Sequence, residues 1–235
     1  MNETMPPPAP TAVEPAKLGD AHPLSVTLFA LTLASGLIDA VSYLGLGHVF
    51  TANMTGNVVV IGFALAGAPG FSISGSLVSL AAFLVGAIGA GRLAVWASAR
   101  AREPWVRAAL LTETALQAAA TVVAFAAHSQ HLLLIGLLAL AMGLRNGTVR
   151  KLGIPDMTTT VLTLTITGLG ADSTLAGGRN PRIRRRVIAI ALMVVGATVG
   201  AAFVLHGRLA WALLVSTVNL AAAAVGYREP KPSAA

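Results

Sequence analysis

Cysteine is absent from the 235 residues, which excludes disulfides, thiolate metal centres and cysteine nucleophiles and leaves the compartment open. Charge is almost as scarce. Asp, Glu, Lys and Arg make up 11% of the chain, against about a quarter in an ordinary soluble domain, so water is not its main solvent. No phosphate-binding loop, nucleophile elbow or zinc-ligand spacing can be found either. What fills the chain is hydrophobic: 55% of residues, with a mean hydropathy of +0.77. At roughly 20 apolar residues per crossing, the length holds about six to eight membrane helices and no separate soluble domain. The formal net charge of +7 is gathered between apolar runs, where it sets orientation in a membrane rather than a nucleic-acid surface.

Residues 1–22 carry Pro6, Pro7, Pro8, Pro10 and Pro15 with scattered acids, and read as a disordered tail. A cleaved signal peptide is disfavoured, because the first apolar run starts only at Leu24 and its basic flank is no stronger than Lys17. Residues 23–227 form one membrane domain, and 228–235 a C-terminal tail. The apolar runs are 24–46, 52–68, 74–98, 107–127, 132–149, 158–171, 187–205 and 209–226. Basic residues flank three connections: Arg92, Arg100, Arg102 and Arg107; Arg145, Arg150 and Lys151; and Arg179, Arg182, Arg184, Arg185 and Arg186. With Arg228 and Lys231 these belong on the cytoplasmic side, whereas the connections near 67–76 and 128–131 carry neither Lys nor Arg. A crossing at 158–171 would push one of two adjacent basic connections outside. The run has about fourteen residues, roughly 21 Å of helix against a hydrocarbon core of about 30 Å, so it reads as a re-entrant element.

The chain also resembles itself, with halves at about 24–130 and 131–227. Gly36-Leu-Ile-Asp39 aligns with Gly143-Leu-Arg-Asn146, and 51–58 with 159–166. Further along, 83–87 aligns with 193–197 and 117–120 with 219–222. Each half then has three crossings and one short insertion, and three being odd, the second half is inverted relative to the first. Chance repetition of Ala, Gly, Val and Leu is the competing explanation, and eight crossings in a parallel repeat is the alternative topology.

Polar residues within apolar runs mark the candidate site. Asp39 lies deep in the first run, with Tyr43 one turn further along the same face; the repeat maps the pair onto Asn146 and Arg150. Such an acid binds a cation or proton, or else holds a neighbouring helix by hydrogen bonds. Asn53, Thr55 and Asn57 open the second run, where free N–H groups meet an anion or polar solute, or where the side chains serve as local caps. Thr160 and Thr163 belong to a hydroxyl-rich element in the second half, with packing onto their own backbone as the other reading. Glu113 is read as structural, snorkelling toward the interface. His128, His131 and His206 lack a carboxylate among them and are not read as a metal site. Gly86, Ala90, Gly196 and Gly200 have the small-residue spacing that lets helices approach closely in lipid.

The segments Gly36-Leu-Ile-Asp-Ala-Val-Ser-Tyr-Leu and Phe50-Thr-Ala-Asn-Met-Thr-Gly-Asn, with Asn146, Arg150 and Pro155-Asp-Met-Thr-Thr-Thr-Val-Leu-Thr, resemble the YoaK-like family of small bacterial membrane proteins. The likeness spans about 24–226. It implies a polytopic membrane domain of unknown function, with no cofactor or catalytic residue to carry over. The sequence thus predicts an all-α integral membrane protein of the bacterial cytoplasmic membrane, with both termini cytoplasmic. Six transmembrane helices and two short re-entrant helices form an internal, inverted repeat. The expected partners are the lipid bilayer and a small polar solute or ion, with no nucleic acid, cofactor or metal. The expected role is transport or permeation rather than catalysis, the site being Asp39, Tyr43, Asn53, Thr55, Asn57, Asn146, Arg150, Thr160 and Thr163. A structural or assembly role is the alternative, and an intramembrane enzyme the third reading.

Overall fold

Backbone N–H and C=O groups inside a bilayer must find partners within the protein, so long apolar runs become helices. The computed structural model describes residues 19–97, 102–127, 129–157 and 159–229, and every regular element among them is helical. The expectations for residues 1–18 of the N-terminal tail, Arg100, His128, Thr158, Lys231 and the rest of 230–235 lie outside the described residues.

The elements are α1 (Pro23–Gly45), α2 (Met54–Leu65), α3 (Ile73–Trp96), α4 (Arg102–Ala126), α5 (His131–Leu152), α6 (Thr163–Ala171), α7 (Ile183–Leu205) and α8 (Leu209–Gly226), with a short 3₁₀ turn at Thr174–Ala176. All but α2 and α6 are long and apolar enough to cross a membrane. With 12 and 9 residues, α2 and α6 reach only about 18 and 14 Å. The second and sixth runs therefore do not cross, and in each the helix starts later than the apolar pattern does. Three starts are capped as their sequences allow. His22 Nδ1 accepts from the Leu24 amide with Pro23 opening α1, Asn53 Oδ1 accepts from Gly56, and Ser72 Oγ accepts from Gly75. Asp20 and His22, assigned to the tail, are thus engaged by the fold; Asp20 accepts a 2.9 Å hydrogen bond from Arg185.

Helices alternate between two ends. One buried cluster joins Leu24 and Leu28 of α1, Val106 and Leu110 of α4, Val149 of α5 and Leu220 of α8. Another joins Val41 of α1, Ala124 of α4, Leu134 and Ile135 of α5 and Ala212 of α8. The first end carries the Arg and Lys clusters and is called the basic end; at the far end Arg208 flanks α8. The main packing partners are α3 with α5 and α1 with α7, backed by α4 against α8, α4 against α5 and α1 against α8. Exchanging α1–α4 with α5–α8 reproduces this set of partners. Corresponding helices run in opposite directions, and α1 and α5 meet through side chains, Ile38 against Ala141 and Met142 and Arg145 against Ser35.

Two glycine seams allow the closest approaches. A Cβ at Gly36 would meet the Met193 carbonyl and the Ala197 nitrogen, and one at Gly196 the Leu33 carbonyl. Across α3 and α5, a Cβ at Gly143 would meet the Phe83 carbonyl and one at Gly86 the Leu140 carbonyl. Ala90, Gly147 and Gly200 extend the same seams. Rigid backbone cannot yield as a side chain can. Gly143→Ala is therefore expected to destabilise the fold by about 1–3 kcal/mol in denaturant titrations in detergent. Gly91→Ala, with nothing within 4 Å of the new Cβ, should be neutral or slightly stabilising.

Candidate functional site

Neither short helix begins at a membrane surface. After α1 ends, the chain turns back inward: Val49 packs beside Gly75 and with Ile135 near the start of α5, and Ala52 reaches Ile38, Ala141 and Met142 at the middle of α1 and α5. From that depth α2 returns to the far end, where Phe63 meets Phe71 with ring centroids 5.6 Å apart. The segment after α5 does the same from the basic end. Met157 lies with Val149, Thr160 bonds to Asn146, and α6 then returns to the basic end, where Gly168 meets Arg186.

Side chains replace the missing helical partners of these descending segments. Asn57 Oδ1 accepts from the Phe50 amide (2.9 Å), while its Nδ2 donates to the Phe50 carbonyl (2.6 Å) and to Ser79 Oγ (3.1 Å). Ser79 Oγ also donates to that carbonyl at 2.6 Å. In the second half Thr160 Oγ1 donates to Asn146 Oδ1 at 2.5 Å, and Asn146 Nδ2 donates to the Met142 carbonyl at 2.8 Å.

Between the two short elements lies a cleft of about 470 Å³. Tyr43 of α1, Phe50, Asn53, Thr55 and Gly56 form one wall, Phe63 and Phe71 its far-end mouth, and 160–163 its floor. Tyr43 and Phe50 stack at 4.7 Å. Among the described residues no charged side chain lines the cleft, and the N-termini of α2 and α6 both open onto it, so its polarity comes from hydroxyls, one amide side chain and the positive ends of helix dipoles.

Of the residues picked out in the sequence, Tyr43, Asn53, Thr55, Thr160 and Thr163 come together in this lining. Asn57 and Asn146 stand behind it and hold the descending segments. Asp39 sits one turn below Tyr43 and outside the lining; its Oδ1 is sealed from solvent and has no hydrogen-bond partner. Arg150 is exposed in the last turn of α5 and takes no part in the cleft.

One feature of the interior runs against the sequence reading. Arg145, counted there as a flanking charge, is 1% exposed in the bundle core. Its Nε donates to Glu113 Oε1 (2.6 Å), its Nη1 to the Leu31 carbonyl (2.9 Å) and Ser35 Oγ (2.7 Å), and its Nη2 lies 2.5 Å from Glu113 Oε1. Gln117 Nε2 donates to the same Glu113 oxygen at 3.3 Å, and Ser216 Oγ to Gln117 Oε1 at 3.0 Å. Glu113 is therefore paired in the core and does not reach the interface. An acid in one apolar run and a guanidinium in another were the signal for this pair, masked by the nearness of Arg145 to Arg150 and Lys151 in sequence.

The basic end is laced by ion pairs. Asp156 meets Arg182 (2.6 Å) and Arg186 (3.0 Å), and Arg186 also meets Asp172 and the Gly168 carbonyl. Beside α4, Glu229 accepts from Arg102 through both oxygens and from Tyr227 Oη. Burial alone would raise the Asp156 and Glu229 carboxyls, but their arginine partners outweigh it and hold both below the ordinary range. Burial, then the bond to Glu229, pushes the Tyr227 hydroxyl up. At the far end histidines bond backbone carbonyls instead: His48 Nδ1 lies 3.1 Å from the Gly70 carbonyl and His206 Nδ1 2.7 Å from the Ala202 carbonyl. Among the described residues no group of His, Asp or Glu is placed to hold a metal.

The fold defines a multi-pass, all-helical membrane protein whose helices contact the lipid bilayer. Residues 27–226 match the family described as "Protein of unknown function (DUF1275)", and the chain belongs to that family. It is 36% identical over 153 residues to the "UPF0700 transmembrane protein YoaK" of Bacillus subtilis (strain 168), an alignment covering 62% of this chain and 65% of that protein. No solved structure gives a significant match.

Two measurements check the electrostatics. Removing one member of a buried pair strands the other, so Glu113→Gln should cost about 3–5 kcal/mol in detergent unfolding, and Glu113→Leu with Arg145→Met should cost less than the sum of the single changes. The lowered Asp156 and Glu229 carboxyls contribute stability that is fully present above their unfolded values of 3.8 and 4.5 and is lost as pH falls through the lower folded values. Thermal unfolding in detergent from neutral pH to about pH 3 should show that loss, and Glu229→Gln should flatten it.

Proposed function

We propose that the protein conducts or transports a small polar solute or ion through the cleft between α2 and α6, and that it does no covalent chemistry. The shared cleft carries this reading: two short helices from different halves start at mid-depth and turn their N-termini and hydroxyls onto one hollow. Lipid requires no such hollow. A dry structural role would be served better by apolar packing than by two interrupted segments that need amide side chains to satisfy them. The exchange of packing partners between the halves, with helix directions reversed, supports an inverted internal repeat and a passage served from both sides in turn. The cleft lining extends from Phe71 at the far end to 160–163, and arginine–aspartate pairs stand at the basic end. The excess of Lys and Arg at that end favours the cytoplasmic side of a bacterial cell membrane, with both termini there.

The absence of cysteine makes the test clean. In proteoliposomes of known orientation, Thr55→Cys and Thr163→Cys are expected to react with a membrane-impermeant thiosulfonate applied at the far end, at least about tenfold faster than Ala139→Cys, which is fully buried. Stopped-flow swelling with small polyols should fall when Thr163→Cys is modified. Failure of Thr163→Cys to react from either side would overturn the reading, because a thiolate forms only where water reaches.

A further inference from the structure

Asp39 is the ionisable residue of the interior that the cleft lining leaves unused. It lies one turn from Ser35, which holds Arg145, and one turn from Tyr43, which lines the cleft, so one stripe of α1 connects the buried ion pair to the hollow. The charged groups around it are few. From α5 comes Arg145, and behind it Glu113 from α4. The α7 residues against the neighbouring turns of α1, Met193, Gly196, Ala197 and Gly200, are not titratable, and the α8 residues that meet α1 further along, Leu209 at Gly45 and Asn219 at Ala30, are not either. Arg145 is committed to Glu113, Ser35 and the Leu31 carbonyl. That pair is neutral overall, and Asp39, though partly exposed as a residue, has one sealed oxygen with no donor, so ionisation would leave that oxygen unsolvated and unpaired.

We propose that Asp39 is a proton-binding site fed from the cleft, and that its occupancy decides which carboxyl Arg145 pairs with. On binding, a carboxylate oxygen forms an O–H bond with a proton delivered by hydronium in the cleft, which leaves as water; release is the reverse. With the proton in place, Asp39 is neutral and Arg145 stays with Glu113, the arrangement seen here. With the proton gone, two carboxylates compete for one guanidinium, and Arg145 is drawn along α1 away from α4. A proton supply through water makes this site dependent on the permeation reading.

Infrared spectra of the reconstituted full chain at neutral pH test it. The expected result is a carboxylic-acid C=O band that shifts when the protein is made with carboxyl-¹³C aspartate and is absent from Asp39→Asn. The other aspartates, Asp20, Asp156 and Asp172, are each paired with arginine, so a labelled acid band reports Asp39. In Glu113→Gln the freed Arg145 should take Asp39 and remove the band as well. Absence of an acid band in the native protein, or a band indifferent to aspartate labelling, overturns the proposal even if Asp39→Asn does not fold. Accessibility of Thr163→Cys separates the two readings. A reactive cysteine without an aspartic-acid band leaves permeation standing and removes the proton site. An unreactive one removes permeation, and with it the route that feeds Asp39.

Discussion

Two stretches of non-helical backbone at the depth of helix midpoints constrain everything else in this fold. In hydrocarbon an unpaired amide or carbonyl is costly, so these stretches exist only because Asn57, Ser79, Asn146 and Thr160 hold them. The long helices then have a second task beyond spanning. α3 and α5 supply polar groups that keep the descending chain inside, Ser79 and Asn146, and Ile38 of α1 with Ala141 and Met142 of α5 forms the wall that Ala52 lies against. The cleft follows from this, since a chain that turns at mid-depth leaves room where a crossing helix would have stood.

The polar interior divides into parts with different physics. The cleft sets four hydroxyls and one amide side chain among apolar walls, with helix ends supplying a diffuse positive potential. Behind α1 lies a buried ion-paired centre, in which one guanidinium ties α1, α4 and α5 together. At the basic end the ions sit nearer water and are worth less individually, but they recur on the elements that flank α6 and the C-terminal segment. Only the last group follows the rule that charges belong at membrane edges.

Much of this organisation was legible in the sequence, for physical reasons that can be named. Length and flanking charge marked 158–171 as too short to cross, because a bilayer has a fixed thickness and Lys and Arg avoid its interior, whereas 52–68 was read as short only through its alignment with that run. Thr163 and Asn53 stood out because hydroxyls and amides in an apolar run need partners. The same logic misplaced Arg145: next to Arg150 and Lys151 it looked like an edge charge, and only the turn of α5 that points it inward, toward Glu113, distinguishes it. Arg150 was drawn into the site by alignment with Tyr43, yet alignment fixes a place along a helix and not the environment a side chain meets there. The roles of Asn57 and Asn146 as braces depended on tertiary partners, Phe50 and Thr160, that no local pattern reveals.

The glycine seams have a mechanical consequence. Where α1 meets α7 and α3 meets α5, backbone touches backbone with no side-chain cushion, so these pairs form a stiff frame that cannot slide without separating. By contrast, α2 is fastened chiefly to α3 and α6 chiefly to α7, each along one side. Any displacement at the cleft would therefore fall to α2 and α6 before the long helices, and would work against both the polar fastenings at Asn57 and Asn146 and the packing of Val49, Ala52 and Met157.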